Sequence, residues 1–241
     1  MQRDTLWLHA AGWEGFPALI HGFSGRLYNR TAALSALSSQ ELPLYTLEQV
    51  HGNKIHVVSR ASSCSSWAED ARPQADGMIT AEAGKLLGIV TADCVPVLMV
   101  APQAGIVAAV HAGWRGTDKD ICIRATQILK TDWGVRPEQL WVAFGPAIGG
   151  CCYEVGQDIG ETLSRKWGER AKSAWRPDGE KGLLDLRLVN RLQCEEAGIP
   201  PDQIQNVGPC TFCANDEFFS YRREGRQAGR QLSVIGWRTQ V

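Results

Sequence analysis

No apolar run in this chain approaches the roughly 20 residues that span a bilayer, and 25 basic side chains stand against 26 acidic ones in 241 residues. The first absence argues against a helical membrane anchor. The second argues against the global field that draws a protein to nucleic acid or an anionic membrane. The opening Met1-Gln2-Arg3-Asp4-Thr5-Leu6-Trp7-Leu8-His9 has an early acid and no sustained apolar stretch, so it does not read as a secretory signal. The expectation is a cytoplasmic monomer or small homo-oligomer that handles a small molecule and binds neither nucleic acid nor membrane.

Internal repeats and long linkers are also missing. A chain of this length can bury one sizeable core, and residues 1–241 read as a single domain. Cysteine is not scarce, with eight residues, but thiols spread over a large chain without an export signal read as free rather than as a disulfide framework. Cys122 and Cys194 fall in apolar helical patterns and read as small core residues. Cys210-Thr211-Phe212-Cys213 has the spacing of a zinc knuckle. A structural zinc needs a second pair at comparable local spacing, however, and the other pair is the adjacent Cys151-Cys152, which argues against a separate zinc there. The nine tryptophans read as core packing.

The centre of the chain is strongly patterned. Residues 86–92, 95–100 and 105–110 are short, apolar and partly β-branched, as strands buried on both faces should be. Pro96 removes a ladder donor and predicts a bulge or an edge. Beyond it, Thr117 is placed to cap a helix, with Asp120 three residues on and Ile121, Ala125, Ile128 and Leu129 as the apolar face; Trp133-Gly134 ends it. A second helix is expected over residues 155–166, and a third from a cap at Asp185 to a stop at Gly198. Residues 61–74 and 175–182 read as surface loops. Strands with a few helices indicate a mixed α/β or α+β domain.

Chemistry is concentrated in three places. His51 lies in Gln49-Val50-His51-Gly52, Cys94 in Thr91-Ala92-Asp93-Cys94-Val95-Pro96, and His111 in Val110-His111-Ala112-Gly113-Trp114-Arg115-Gly116-Thr117. Two imidazoles and a thiolate suit a borderline-soft ion such as zinc, and three protein ligands leave one position open for water or substrate. Positions 51, 94 and 111 are 43 and 17 residues apart, so no local geometry joins them, and separate structural roles stand beside the shared site. His9, His21 and His56 read as turn or core residues. Gly113 and Arg115 lead into the next helix, where free amides and a guanidinium favour phosphate; the alternative is a capped helix with Arg115 in a surface ion pair. Residues 222–230 form a basic run that reads as a solvated turn, although Tyr221 and Arg222 could line a pocket.

Further motifs share this chain: Ala75-Asp76-Gly77, Gly145-Pro146-Ala147-Ile148, Cys152-Tyr153-Glu154-Val155-Gly156 and Phe218-Phe219-Ser220-Tyr221-Arg222-Arg223. With those above, in this order over about residues 45–236, the chain resembles the laccase-domain, polyphenol-oxidase-like proteins of the YfiH type, described as purine nucleoside phosphorylases. The resemblance implies a layered α/β/β/α sandwich with mixed sheets and a zinc held by His51, Cys94 and His111. It further implies phosphorolysis of adenosine, inosine, guanosine and methylthioadenosine, with adenosine deamination as a further activity. Purine nucleosides and phosphate are then the partners; Cys94, His111 and Asp93 the catalytic candidates, Asp93 by orienting a ligand or passing a proton; and Arg115, Gly113 and Arg26 the substrate and phosphate candidates. Two departures stand out: Phe23-Ser24-Gly25-Arg26 lacks the family's glycine pair, and Asp120 stands where a glycine is usual.

Three rival readings remain. Two histidines and a cysteine are also the equatorial set of a copper site, so Cu2+ and polyphenol oxidation are one rival. Five histidines are too few for a multicopper centre, and neither Met78 nor Met99 has the local loop of an axial ligand. Hydrolysis of peptidoglycan precursors with Cys94 as nucleophile is the second. The third is a zinc-stabilised binding module without catalysis.

Overall fold

The apolar runs at the centre of the chain do become strands, but they divide between two sheets. The computed structural model describes residues 7–26, 34, 37, 42–59, 62 and 72–239. Lys85–Thr91 belongs to a five-stranded sheet in the order Trp7–Leu8, Leu19–Ser24, Gln231–Trp237, Lys85–Thr91, Leu44–Tyr45. Val95–Ala101 and Ile106–Ala112 belong to a six-stranded sheet in the order Ile204–Asn206, Trp141–Phe144, Val95–Ala101, Ile106–Ala112, Gly77–Thr80, Ile55–Val57. Each sheet mixes parallel and antiparallel pairs.

Alternation along the strands explains the layering. Leu98, Val100, Val107 and Ala109 point from the six-stranded sheet toward Phe23, Leu87, Ile89 and Ile235 of the other sheet. Val97, Met99, Ala108 and Val110 point the opposite way, onto helices Ile121–Trp133 and Leu186–Glu196 through Ile121, Ala125, Leu129, Val189 and Leu192. Strands that feed two cores at once must be apolar at nearly every position, and both central strands are buried along their whole length. On the far side of the five-stranded sheet Leu34 and Leu37 are helical, and a Cβ placed on Gly22 would lie 3.3 Å from Leu37. The layers therefore run helix, sheet, sheet, helix, as the resemblance implies. No helix among the described residues is long and apolar enough to cross a membrane.

Four local expectations need correction. Pro96 makes neither a bulge nor an edge: it pairs with His111 inside the sheet, and the ladder to the neighbouring strand starts only at Val97, so the missing donor falls at a strand start. Thr117 caps nothing. It lies inside a short helix, Trp114–Asp118, and accepts from Asn190 Nδ2 at 2.9 Å. The long helix starts afresh after Asp120, which holds φ 58°. A residue in the left-handed region cannot continue an α-helix; the short helix before it lies against the His51 loop, where a Cβ on Gly116 would be 2.7 Å from the Gly52 carbonyl.

The second expected helix is shorter, Gln157–Arg165, with Glu154–Gly156 a strand. Residues 175–182 are not a loop but most of a hairpin, Trp175–Asp178 against Lys181–Leu184, turning at Gly179 with φ 59°; Pro177 sits on its outer strand, where no donor is missed. Asp185 caps Leu186–Glu196 by accepting from Leu188 N at 3.1 Å, and Gly198 follows the end with φ 94°. Cys122 and Cys194 are buried. Most of the expected loop at 61–74 lies outside the described residues.

Candidate active site

Sheet geometry brings His51, Cys94 and His111 together. Their ligand atoms all lie within 4.8 Å of one another, and the two imidazole rings meet edge to face with centroids 4.9 Å apart. His111 is the penultimate residue of Ile106–Ala112, and Cys94 stands one residue before Val95–Ala101, the strand paired with it. His51 comes from the loop before Ile55–Val57, at the far edge of the same sheet. That loop reaches inward because Asp76 holds it.

Asp76 is fully buried. Its carboxylate accepts from the backbone N–H of Val50 at 3.3 Å, His51 at 2.9 Å and Gly52 at 2.6 Å. It also accepts from His111 Nδ1 at 2.8 Å. An ionised carboxylate can only accept, so the Nδ1 proton is fixed and Nε2 is free to act as ligand or base. Although burial raises the Asp76 pKa, the His111 hydrogen bond and the loop amides hold it below the ordinary carboxylate value. His51 itself adopts φ 58°, a left-handed conformation uncommon outside glycine and expected where function over-determines the backbone. Asp76 was visible in Ala75-Asp76-Gly77, but no role could be read there, because its partners lie 24 to 35 residues away.

Around this centre the protein leaves space. A Cβ on Gly113 would come within 3.2 Å of both Cys94 Sγ and His51 Cδ2, so any side chain there would press on two of the three residues. Burial drives the Cys94 thiol up, but the charge of His111 and hydrogen bonds from His111 and His51 overcome it and bring the pKa down to about 6. Burial drives His111 down, but the Cys94 charge and the Asp76 hydrogen bond lift it to about 9. A thiol that ionises readily beside two imidazoles, with no side chain at Gly113 to close the space, fits a borderline-soft metal ion.

Asp93 is placed differently from Asp76. It holds φ 88°, and its carboxylate accepts from Thr211 Oγ1 at 2.6 Å, Ser220 Oγ at 3.0 Å and the Arg222 N–H at 2.6 Å. Its carbonyl accepts from Ile148 N at 3.0 Å. It thus ties two distant loops to the residue before Cys94, while also reaching the cleft wall.

The cleft above the three residues has a volume of about 700 Å³. Arg72, Arg115, Arg222 and Arg230 line it, with Trp114, Tyr153 and Tyr221. The Arg115 guanidinium stacks 4.3 Å above the Trp114 ring and pairs with no carboxylate among the described residues, so the alternative of a surface ion pair is not formed. Burial, reinforced by the Cys94 and Asp93 charges, pushes the Tyr153 phenol up to about 12, which keeps it a proton donor. Arg26 does not join this lining. It pairs with Glu224 at 2.6 Å and stacks 4.5 Å from Phe219, and so supports the turn that carries Tyr221 and Arg222.

An ionisable thiol, two imidazoles, one of them oriented by Asp76, and a cleft lined by arginines and aromatic rings make a donor set able to hold a metal ion. Over residues 27–238 the sequence matches the family described as multi-copper polyphenol oxidoreductase laccase. It is 41% identical over 195 residues to purine nucleoside phosphorylase YlmD of Geobacillus stearothermophilus, covering 79% of this chain and 71% of that protein. To adenosine deaminase RL5, from an unknown prokaryotic organism, it is 36% identical over 168 residues, covering 69% and 64%. The crystal structure of the Geobacillus YlmD matches the fold with a TM-score of 0.86 at 32% identity, covering 98% of both chains. The chain belongs to this laccase-like, YfiH-type family.

Proposed function

We propose that the chain is a zinc-dependent purine nucleoside phosphorylase, cleaving adenosine, inosine, guanosine and methylthioadenosine with phosphate to the free base and the pentose 1-phosphate, and deaminating adenosine in the same cleft. The observation that carries this reading is the convergence of His51, Cys94 and His111 beneath a cleft lined by four arginines and three aromatic rings. The names of two relatives, a purine nucleoside phosphorylase and an adenosine deaminase, point to the same substrate class. His51, Cys94 and His111 would hold the ion, which supplies a Lewis acid at the cleft floor when bound.

The chain's own residues do the rest. Arg115, unpaired and braced on Trp114, holds the phosphate dianion, and the backbone at Gly113 lets it approach. Trp114 and Tyr153 offer faces to the purine. A phosphate oxygen attacks C1′, the bond from C1′ to N9 breaks, and its electron pair leaves with the base. The base is neutralised by a proton, for which the un-ionised Tyr153 hydroxyl is the donor facing the cleft. Asp76 keeps His111 in one tautomer, and Asp93 positions Cys94 and the Arg222 turn.

Incubation of metal-quantified protein with adenosine and inosine, with and without phosphate, tests the reading by chromatography of base, ribose 1-phosphate and inosine. Phosphate-dependent base release, lost in His111→Ala, is expected. Absence of turnover in zinc-loaded protein would overturn it.

A second reading has one observation in its favour. Asp76, His111 and Cys94 are linked as orienter, base and nucleophile in the order a cysteine hydrolase uses, which suits amide cleavage in peptidoglycan precursors. Such an enzyme would be stopped by thiol alkylation and indifferent to chelators; the phosphorylase would be stopped by both. Against the copper rival, neither methionine among the described residues is placed as an axial ligand: Met99 lies five residues up a strand from Cys94, roughly 16 Å away, and Met78 is buried between the sheets.

A further inference from the structure

Four cysteines outside the cleft also converge. Local spacing argued against a zinc at Cys210 and Cys213, because the other pair is adjacent in sequence and about 60 residues away. The fold removes that objection by laying the two loops together: Ala147 bridges Cys210 as in a parallel ladder, and Thr211 N donates to the Ala147 carbonyl at 3.1 Å. The sulfur atoms of Cys151, Cys152, Cys210 and Cys213 all lie within 4.8 Å of one another. Cys213 Sγ is 3.3 Å from Cys152 Sγ and 3.8 Å from Cys151 Sγ. A tetrahedral zinc with bonds of about 2.3 Å spaces its sulfur ligands about 3.8 Å apart.

The surroundings favour a buried thiolate charge. Cys210 Sγ accepts from the Gly149 N–H at 3.2 Å and from the backbone N–H groups of Phe212 and Cys213. Gly149 leaves the room: a Cβ there would lie 3.3 Å from Cys151 Sγ and 3.4 Å from Cys210 Cβ. Two cations flank the loops, Arg176 donating to the Gly150 carbonyl at 2.8 Å and Arg187 to the Gly208 carbonyl at 3.1 Å. Four thiolates around a divalent ion carry two net negative charges, which two guanidiniums offset.

We infer that Cys151, Cys152, Cys210 and Cys213 form a second, closed metal site that binds a structural zinc as a tetrathiolate. All four ligands come from protein, so no position is left for substrate. The ion clamps together the two loops that reach Asp93, one through Ile148 and the other through Thr211. Cys152 also adjoins Tyr153 of the cleft wall. The second metal is therefore a brace for the active site rather than part of it.

Metal content per chain decides this, measured by mass spectrometry on untagged, reduced protein in three forms: unaltered, Cys94→Ala, and Cys151→Ser with Cys213→Ser. Zinc content is expected to halve in each variant, from two equivalents to one. Cobalt loaded into Cys94→Ala should give the intense sulfur-to-metal charge-transfer bands of a tetrathiolate, a readout that survives if the double variant fails to fold. An unaltered protein with one equivalent, lost entirely in Cys94→Ala, would overturn the inference, as would a Cys152 to Cys213 disulfide in freshly purified, metal-free chain.

Discussion

The two thiol clusters of this molecule use the same element to opposite ends. The cleft cluster combines one sulfur with two imidazoles, and its third dimension is an open, cationic space. The loop cluster has four sulfurs, enough to satisfy a tetrahedral ion completely. Their supports differ accordingly. Asp76 orients the cleft ligands through a buried carboxylate with four contacts, whereas backbone amides and two arginines surround the loop sulfurs. Reactivity needs an incomplete donor set held rigidly; bracing needs a complete one that joins segments far apart in sequence. Asp93 lies between the two and receives bonds from both sides.

The strongest way to break the comparison is to delete one sulfur from the open cluster. Cys94→Ala should lower kcat/KM for adenosine phosphorolysis by on the order of 10³-fold, the scale of losing a principal electrostatic group at a reacting centre. Its melting temperature should fall less than that of the closed-cluster variant, because Asp76 still ties the His51 loop to His111 without the metal. If instead the variant unfolds and retains specific activity in its folded fraction, the assignment of the two clusters is reversed.

Deleting the closed cluster should cost stability instead. Joining Cys151 to Cys213 closes a loop of 62 residues, and a cross-link of that span is worth about 4 kcal/mol in chain entropy at most. Cys151→Ser with Cys213→Ser should therefore lower Tm by on the order of 10 °C, read by calorimetry at fixed zinc. Below the new transition, kcat should fall far less than in Cys94→Ala.

Asp76→Asn sharpens the contrast within the open cluster. The amide cannot accept at every point where the carboxylate does, and losing the partner of a metal-bound histidine typically costs 10- to 100-fold in metal affinity. Competition with a chromophoric chelator should show one weakened equivalent and one unchanged. Two weakened equivalents would mean that the clusters do not bind independently.

Sequence made the open cluster legible because each ligand sits at a strand end or glycine turn, places where side chains emerge from a buried sheet. The strands themselves were legible, since a strand covered on both sides has to be apolar throughout. Asp76 and the closed cluster were not legible, for a common reason: their partners lie in other loops, brought close only by the packing of the sheet ends. The hairpin at Trp175–Asp178 and Lys181–Leu184 was hidden by Pro177, Asp178 and Gly179, residues that mark a turn while the flanking pairing depends on the third strand, Glu154–Gly156. The break before Ile121 was hidden because it rests on Asp120 in the left-handed region, a conformation that an aspartate adopts seldom and that the apolar pattern around it does not mark.

The smallest expected effect lies away from both clusters and is needed to interpret acid release of metal from either. His21, on Leu19–Ser24, is buried, accepts from the Ala10 N–H at 3.0 Å and packs against Trp13. Burial, with the neighbouring His9, lowers its pKa from 6.5 to about 4. Between those values the unfolded chain binds a proton that the folded chain refuses, so stability is complete above about pH 6.5 and declines as pH falls toward 4. The loss from pH 7 to 5.5 should be about 1 kcal/mol, measured by urea titration of metal-free protein. His21→Gln should flatten that slope while leaving the acid release of both metals where it was. If the slope persists, acid sensitivity resides in other groups, and the pH at which each metal leaves has to be measured against that background.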